Sequence, residues 1–138
     1  MQVSGTTSNK VNLEYGVPQG SCLGPLLFMM YTSSLFQITE SHLPEVHGYA
    51  DNHQLYISLN PNVEHSEIEA VKAIEDCIKD IRKWMVVNKL KLNDSKTEMM
   101  LIGTRVQLSK VNLDSIIVGD SAVTPSAKVR NLGAWFDN

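Results

Sequence analysis

A long amphipathic pattern between residues 67 and 90 constrains the fold more than any other feature of the sequence. Apolar residues recur in it every three or four positions, which is the spacing of one face of an α-helix. We therefore predict a helix from about Glu67 to Leu90 that buries one face in a core. The stripe consists of Ile68, Val71, Ile74, Ile78, Ile81 and Met85, widened by Cys77, Trp84 and Asn88.

Both ends of this predicted helix carry recognisable signals. Ser66 and Glu69 have the spacing of a capping box, in which each side chain bonds the backbone N–H of the other residue. Glu67 and Glu69 fall in the first turn and Lys89 in the last, so their charges complement the helix dipole. We expect the helix to begin and end at these residues.

A second helix is predicted from Pro25 to about Ile38. It follows a loop rich in glycine and proline at residues 16–24, and a proline is well tolerated in the first helical turn. A helix that is apolar nearly all round is normally buried, and we expect this one to be buried. Its apolar residues include Leu26, Leu27, Phe28, Met29 and Met30.

The remaining apolar runs are short and predict strands. Residues 46–50 and 53–59 form a predicted hairpin around Asp51-Asn52, because Asp and Asn tolerate the left-handed conformations of tight turns. Antiparallel hairpins combined with two long helices indicate an α+β fold. Further strands are predicted in residues 2–15 around Ser8–Lys10, at Thr97–Ile102, at Ser115–Val118 and Ala122–Thr124 around Gly119-Asp120, and at Val129–Phe136.

The composition is that of an ordinary globular domain, and its charge is unevenly placed. With 138 residues, of which 43% are hydrophobic, the chain is long enough for one domain. A net charge of −3 counts against strong autonomous binding of nucleic acid, which depends on basic residues. The stretch from Lys79 to Arg105, however, contains seven basic residues and only three acidic ones. A solvated helix face and loop is the simpler interpretation of this basic stretch.

The cysteines and the apolar runs indicate the cellular compartment of the chain. Cys22 and Cys77 form no CxxC pair and lie in apolar-rich segments, so we expect two reduced, buried thiols. Residues 1–10 are polar and contain no apolar signal core. The longest apolar run, Leu26–Tyr31, is far shorter than the roughly 20 residues of a membrane span. We expect a soluble, intracellular chain with no membrane partner.

The turn at Asp51 is the place where chemistry is most plausible. A carboxylate at the tip of a hairpin stands on a rigid support, which suits a metal ligand. Phosphoryl transfer by two Mg²⁺ ions needs such oxygen ligands, because the ions hold the attacking and leaving oxygens. Most Asp-Asn turns are nothing more than turns, so this feature alone predicts little.

The order of several motifs makes the interpretation more specific. Together they resemble motifs B to E of the reverse transcriptases of non-LTR (LINE-type) retrotransposons, and the resemblance covers nearly the whole chain. It implies part of a polymerase palm domain. The matching segments are GVPQGSCLGPLLF at residues 16–28, GYADNHQLY at 48–56, WMVVNKLKLNDSKTEMMLIGT at 84–104 and VRNLGAWFDN at 129–138; VSGTTSN at 3–9 also looks like the strands that precede motif B.

The resemblance implies roles for residues in motifs B and C. Pro18, Gln19 and Gly20 match the loop that packs beside the incoming nucleotide and the template, where bare backbone at a glycine permits close approach. Tyr49 and Asp51 match the YADD box, whose first Asp binds both catalytic metal ions. The cofactor implied is Mg²⁺, and the partners implied are an RNA template, a DNA primer and a deoxynucleotide.

The resemblance also implies roles for later residues. Lys96 matches the motif D lysine region near the triphosphate, where a lysine can donate a proton to the leaving pyrophosphate. A solvated lysine is at least as good an interpretation of Lys96. Leu132, Gly133 and Trp135 match the segment that leads toward the primer grip.

The sequence departs from the family pattern in ways that bear on activity. Asn52 stands where YADD has its second Asp; its amide oxygen can still approach a cation, but one negative charge is lost. YTSSL at residues 31–35 replaces the family's usual YINDL. No motif A Asp precedes residue 16, and the fingers and thumb are not recognised. We therefore expect one partial palm domain over residues 1–138, without polymerase activity of its own.

Without a motif A strand, the strand at residues 46–50 is expected to present an unpaired edge that promotes self-association. The basic stretch leaves open an alternative function, a non-catalytic module that binds nucleic acid or protein, and a relic without function is a third possibility. A zinc site from His42, His47, His53 and Asp51 and a hydrolase triad around Ser21 are not favoured, because the required ligand spacing and elbow motif are missing.

Overall fold

The computed structural model describes residues 20–42 and 45–137, together with the backbone of residues 2–3 and 6–7. Its long helices are α1 (Gly24–Glu40) and α2 (Ser66–Val87), followed by a 3₁₀ turn at Asp94–Lys96 and the short α3 (Arg105–Leu108). Its strands are β1 (Gln2–Val3), β2 (Thr6–Thr7), β3 (Glu45–Tyr49), β4 (Asn52–Tyr56), β5 (Ile116–Val118), β6 (Ser121–Val123), β7 (Lys128–Asn131) and β8 (Ala134–Asp137).

Each described strand pairs antiparallel with its neighbour in sequence, giving four separate hairpins. Helices and antiparallel hairpins in one chain confirm the predicted α+β class. Among the described residues β3 pairs only with β4, so self-association through its other edge stays a prediction. No described helix has both the length and the apolar character that a membrane crossing requires.

The contacts within the chain define two compact units, residues 1–33 and residues 34–138. The first unit contains β1, β2 and the N-terminal part of α1. The second contains the C-terminal part of α1 and all the later elements. The prediction of one partial palm domain over the whole chain stays a prediction.

Helix α2 organises the core of the larger unit by packing on two sides. One cluster joins Cys77 and Ile81 of α2 to Leu35 of α1. The other joins Ile78 of α2 to the buried Ile116 and Val118 of β5. Two half-buried residues, Leu55 of β4 and Ile74 of α2, pack against both clusters. The prediction that the apolar stripe packs in a core is thus confirmed for the larger unit.

The ends of α2 differ from the prediction. Ile68 is 64% exposed and lies outside the stripe. The predicted capping box is wrong, because the helix begins one residue earlier than expected: His65 is the N-cap residue, in a left-handed conformation and without a side-chain cap. Ser66 lies inside the helix, and its hydroxyl oxygen accepts a hydrogen bond from the Asn60 backbone N–H at 2.9 Å.

The C-terminus of α2 closes through backbone bonds beyond the last helical residue. Lys89 has a φ of 55° and donates to the Val86 carbonyl, and Leu90 donates to the Met85 carbonyl. This pair of bonds is a Schellman motif, which normally places glycine where Lys89 stands. Lys89 therefore follows the helix, and the prediction that it lies in the last turn is wrong.

Helix α1 forms close to its predicted bounds but is not buried all round. Its N-terminal residues are largely open, and Met30 is 66% exposed. Leu35 and Thr39 are buried further along. A helix turns only one face toward any single layer, so apolar residues on all sides do not by themselves bury every side. The exposed residues are Leu26, Leu27, Met29, Met30 and Tyr31.

The shorter predictions had mixed outcomes. The hairpin around Gly119-Asp120 is confirmed, with Val118 opposite Ser121. The strand predicted at Thr97–Ile102 is wrong, since only Met99 forms an isolated bridge, with Pro125. The single strand predicted at Val129–Phe136 is a hairpin, β7–β8. The N-terminal pairing joins residues 2–3 to residues 6–7, and Ser8–Lys10 lies outside the described residues.

The two thiols lie in different environments. Cys77 is fully buried and unpaired, as predicted, and its pKa is raised to about 11 by burial, with a smaller contribution from the charge of Asp80. Cys22 is exposed, so the prediction of a buried thiol is wrong there. It lies in the turn before α1 and not within the helix.

The hairpin β3–β4 is seated on α1 through Gly48. A Cβ atom added at Gly48 would lie 2.6 Å from Cζ of Phe36, which is closer than packed carbon atoms come. The ring of Phe36 also meets that of His53 on β4, with 5.9 Å between ring centroids. A side chain at position 48 would therefore have to displace the Phe36 ring.

Gly48→Ala should lower the free energy of unfolding by about 1–3 kcal/mol, the usual cost of overpacking a filled space. Urea denaturation checks this. Gly103→Ala is the matched control, because its added Cβ would meet Leu108 at an ordinary 3.5 Å. A change within about 0.5 kcal/mol is expected for the control. Equal losses in the two variants would contradict the packing described for Phe36.

Candidate functional site

The turn of the β3–β4 hairpin lies one residue earlier than predicted. Tyr49 pairs with Asn52, which leaves Ala50 and Asp51 as the two turn residues. Ala50 has a φ of 53°, the left-handed conformation that such turns require. The prediction of an Asp51-Asn52 turn is therefore wrong, and alanine occupies the position where Asp, Asn or glycine was expected.

This register gives Asp51 and Asn52 different structural roles. Asp51 lies at the tip, outside the ladder, whereas Asn52 is the first residue of β4. Directly opposite residues of an antiparallel pair project from the same face, so Asn52 shares a face with Tyr49. The two residues that match the acidic pair of YADD are thus not equivalent supports for a cation.

The two faces of the hairpin differ in character. Leu55 belongs to the inner face and packs against both core clusters, which fixes the hairpin to α2. The outer face includes Tyr49, which is 68% exposed, and His47, whose ring meets that of Tyr56 edge-on. Tyr56 also donates a hydrogen bond to Gln54. The hairpin therefore packs on the core through Leu55 and presents a polar and aromatic outer face.

The Asp51 carboxylate is exposed and makes no hydrogen bond or ion pair with another described residue. It is accessible to a cation from solvent. In the described part of the chain, no three His, Cys, Asp or Glu side chains come together as a metal site would require. Two Mg²⁺ ions need more oxygen ligands than one carboxylate and one amide supply, so these residues do not fit a complete two-ion site.

The loop predicted to pack beside the nucleotide is described only in part. Pro18 and Gln19 lie outside the described residues. Gly20 is exposed and has a φ of 86°, a conformation that favours glycine. A Cβ atom added at Gly20 would meet no atom within 4 Å. Glycine is therefore favoured here by the backbone conformation and not by crowding. The nucleotide-side role of all three residues stays a prediction.

Lys96 is the last residue of the 3₁₀ turn. It is exposed and forms no ion pair with another described residue. The turn itself is closed by backbone bonds from Lys96 to Asn93 and from Thr97 to Asp94, each 3.1 Å long. Lys96 therefore stands free on a short, hydrogen-bonded support.

The basic stretch at residues 79–105 is partly neutralised by acidic neighbours. Arg82 bonds Asp94 at 2.5 Å, and two exposed pairs link Lys79 to Asp76 and Lys83 to Asp80. Hydrogen bonding from Lys79 holds the pKa of Asp76 below its ordinary value. Within the described residues four cations of the stretch remain outside ion pairs: Lys89, Lys91, Lys96 and Arg105.

The segment matching the approach to the primer grip forms the tip of the β7–β8 hairpin. Leu132 and Gly133 both have positive φ, 48° and 88°, which is the pattern of a type I′ turn. Trp135 is 69% exposed and lies directly opposite Arg130. The position of Arg130 opposite Trp135 could not be predicted from the sequence, because the Leu-Gly dipeptide is a weak turn signal and indicates no cross-strand partner.

The histidines do not converge on a metal. His42 bonds the Asp80 carboxylate at 2.9 Å, while His47 and His53 meet the rings of Tyr56 and Phe36. Because antiparallel pairing places His47 and His53 on opposite faces of the hairpin, a shared zinc ion is excluded for that pair. The interpretation of these residues as a zinc site finds no support.

Ala50→Gly should raise the free energy of unfolding by about 0.5–1 kcal/mol, because glycine adopts the left-handed conformation without the clash that alanine suffers. Asn52→Gly is the matched control and should lower it by a similar amount, about 0.5–1 kcal/mol, because Asn52 is a strand residue. Thermal or urea unfolding measures both. The opposite order would indicate a turn at Asp51-Asn52.

Comparison with known proteins places these features in a family. No curated protein and no solved structure gives a significant match to the chain. Residues 1–136 match the model of the family described as reverse transcriptase (RNA-dependent DNA polymerase). Since that match covers almost the entire chain, the chain belongs to the reverse transcriptase family.

Proposed function

We propose that this chain is part of the palm of a non-LTR, LINE-type reverse transcriptase, whose parent activity is RNA-templated DNA synthesis. Family membership over residues 1–136 supports the reaction class. The ordered motifs at residues 16–28, 48–56, 84–104 and 129–138 support the subtype. The partners of the intact enzyme are then an RNA template, a DNA primer and a deoxynucleotide.

One observation carries the proposal: Asp51 is exposed at the tip of a hairpin that Leu55 anchors to both core clusters. A ligand for a catalytic cation needs an accessible oxygen on a support that does not move. Asp51 meets the first condition, and we propose that the packing of Leu55 supplies the second. Asn52 contributes an amide oxygen without charge, so we propose that it weakens the divalent-ion site relative to a second Asp.

The roles of the other proposed site residues rest on the family resemblance. By that resemblance, we assign Pro18, Gln19 and Gly20 to the nucleotide and template, Tyr49 to substrate contact and Lys96 to the triphosphate. The exposure of Gly20, Tyr49 and Lys96 is compatible with these roles.

We further propose that the 138-residue chain does not polymerise by itself. The described residues bring one carboxylate, Asp51, to the hairpin tip, and they contain no cluster of three potential metal ligands. Mg²⁺ in polymerase sites holds the attacking and leaving oxygens in place, which one carboxylate cannot arrange for two ions.

Asn52→Asp should tighten Mg²⁺ binding about tenfold, since a further unit charge some 5 Å from a divalent ion is worth roughly 1–2 kcal/mol in water. Asp51→Asn should abolish the binding. Asp120→Asn is the matched control, because Asp120 is the exposed second residue of the two-residue turn of the β5–β6 hairpin. Isothermal titration of the full chain measures all three.

Different results would contradict different parts of the proposal. Equal Mg²⁺ binding by the original chain and Asn52→Asp would refute the charge argument. Extension of a primer on an RNA template by the pure chain would refute the proposed inactivity. Retention of an RNA–DNA hybrid without divalent ions, lost in Lys89→Gln/Lys91→Gln and in high salt, would favour the alternative of a non-catalytic binding module.

A further inference from the structure

The geometry points to Arg82 as a positioning residue for Lys96: by engaging Asp94 beneath the Gly119 turn, it fixes the 3₁₀ turn that carries Lys96 and keeps the neighbouring carboxylate from pairing with the ammonium group. This inference deepens the proposed function and rests on its assignment of Lys96 to the triphosphate. Arg82 itself is not placed in contact with substrate.

Arg82 connects the turn to the central helix of the fold. It lies in α2 one residue after Ile81, which is buried in the core, so its backbone is firmly held. Its Nη1 donates to Oδ1 of Asp94 at 2.5 Å, and the two side chains are only 34% and 29% exposed. Partial burial reduces the screening that makes most surface ion pairs weak.

Asp94 is the first residue of the turn that ends at Lys96. Its backbone carbonyl accepts the bond from Thr97 that closes the turn, while its carboxylate is held by Arg82. Fixing Asp94 therefore fixes the start of the turn, and Lys96 follows two residues later. A three-residue helix has too few internal bonds to hold its orientation alone.

The turn of the β5–β6 hairpin lies against the guanidinium group of Arg82. A Cβ added at Gly119 would lie 2.6 Å from Nη1 and 2.7 Å from Cζ of Arg82. The guanidinium group thus occupies space that any other residue at position 119 would fill. Three segments meet at Arg82: helix α2, the 3₁₀ turn and the β5–β6 turn.

The arrangement also separates the charges. Asp94 lies two residues before Lys96 in sequence and is an available partner for its ammonium group. Arg82 engages that carboxylate, and Lys96 remains exposed without an ion pair among the described residues. A free ammonium group on a fixed support is what a phosphate oxygen requires.

The test is an NMR titration of the full 138-residue chain with inorganic pyrophosphate. The backbone amide resonance of residue 96 reports the binding. Lys96→Gln and Arg82→Gln should each weaken pyrophosphate binding by about fivefold or more. The loss of one partly buried ion pair can change a dissociation constant by this factor. Arg82→Lys keeps the pair with Asp94 and should stay within about twofold of the original chain. Lys79→Gln, which removes the same charge from an exposed pair on α2, is the matched control and should also stay within about twofold.

Asp94→Ala separates positioning from net charge. Removing a carboxylate beside Lys96 would tighten anion binding if charge alone mattered. Positioning instead requires weaker binding, by about threefold or more, because the turn loses its link to α2. Asp94 lies outside the core clusters, so this variant stays interpretable even if Arg82→Gln fails to fold.

The outcomes distinguish the two levels of the inference. If Lys96→Gln leaves pyrophosphate binding unchanged, the proposed role of Lys96 fails, and positioning by Arg82 fails with it. If Lys96→Gln weakens binding but Asp94→Ala tightens it, and Arg82→Gln matches Lys79→Gln, only the positioning role of Arg82 is overturned. Weaker binding in both Arg82→Gln and Asp94→Ala, with recovery in Arg82→Lys, supports it.

Discussion

The packing of helix α2 between two apolar surfaces is the interaction on which the rest of the larger unit depends. Cys77 and Ile81 face α1 and β4, while Ile78 faces β5. Each fully buried aliphatic side chain contributes about 1.5–3 kcal/mol to stability. Leu55 and Ile74 touch both clusters, so they join the two sides of the core.

The same helix positions the residues proposed to act on substrate. Leu55 fixes the hairpin whose tip carries Asp51, and Arg82 reaches the turn that carries Lys96. The backbone N–H of Ile117 in β5 also donates to the Glu75 carboxylate of α2 at 2.8 Å. Polar side chains beside the apolar stripe of α2 thus form hydrogen bonds with the 3₁₀ turn and with strand β5.

Sequence alone predicted the parts of this structure that strong periodicity specifies. The stripe from Val71 to Met85 locates α2, and the Gly119-Asp120 signal locates the β5–β6 turn. The prediction was wrong where backbone conformation overrode residue preference. Ala50, His65 and Leu132 all adopt positive φ, although none of them is a typical turn residue.

The candidate site was predicted in the same uneven way. Asp51 was placed on a turn correctly, but the register error hid the fact that Asn52 belongs to a strand. Arg82 and Asp94 were counted as charges in a basic stretch, because a contact across twelve residues has no local signature. Exposure of the apolar residues of α1 was missed, since periodicity shows which faces are apolar and not whether a second layer covers them.

The proposed function requires the carboxylate of Asp51 to be a divalent-ion ligand. Site-resolved NMR with substoichiometric Mn²⁺, which replaces Mg²⁺ and broadens nearby resonances, tests it most directly. We expect selective broadening of Ala50, Asp51 and Asn52, and none around Asp120, which occupies the equivalent turn position in the β5–β6 hairpin. Equal broadening at Asp51 and Asp120, or none at Asp51, would contradict it.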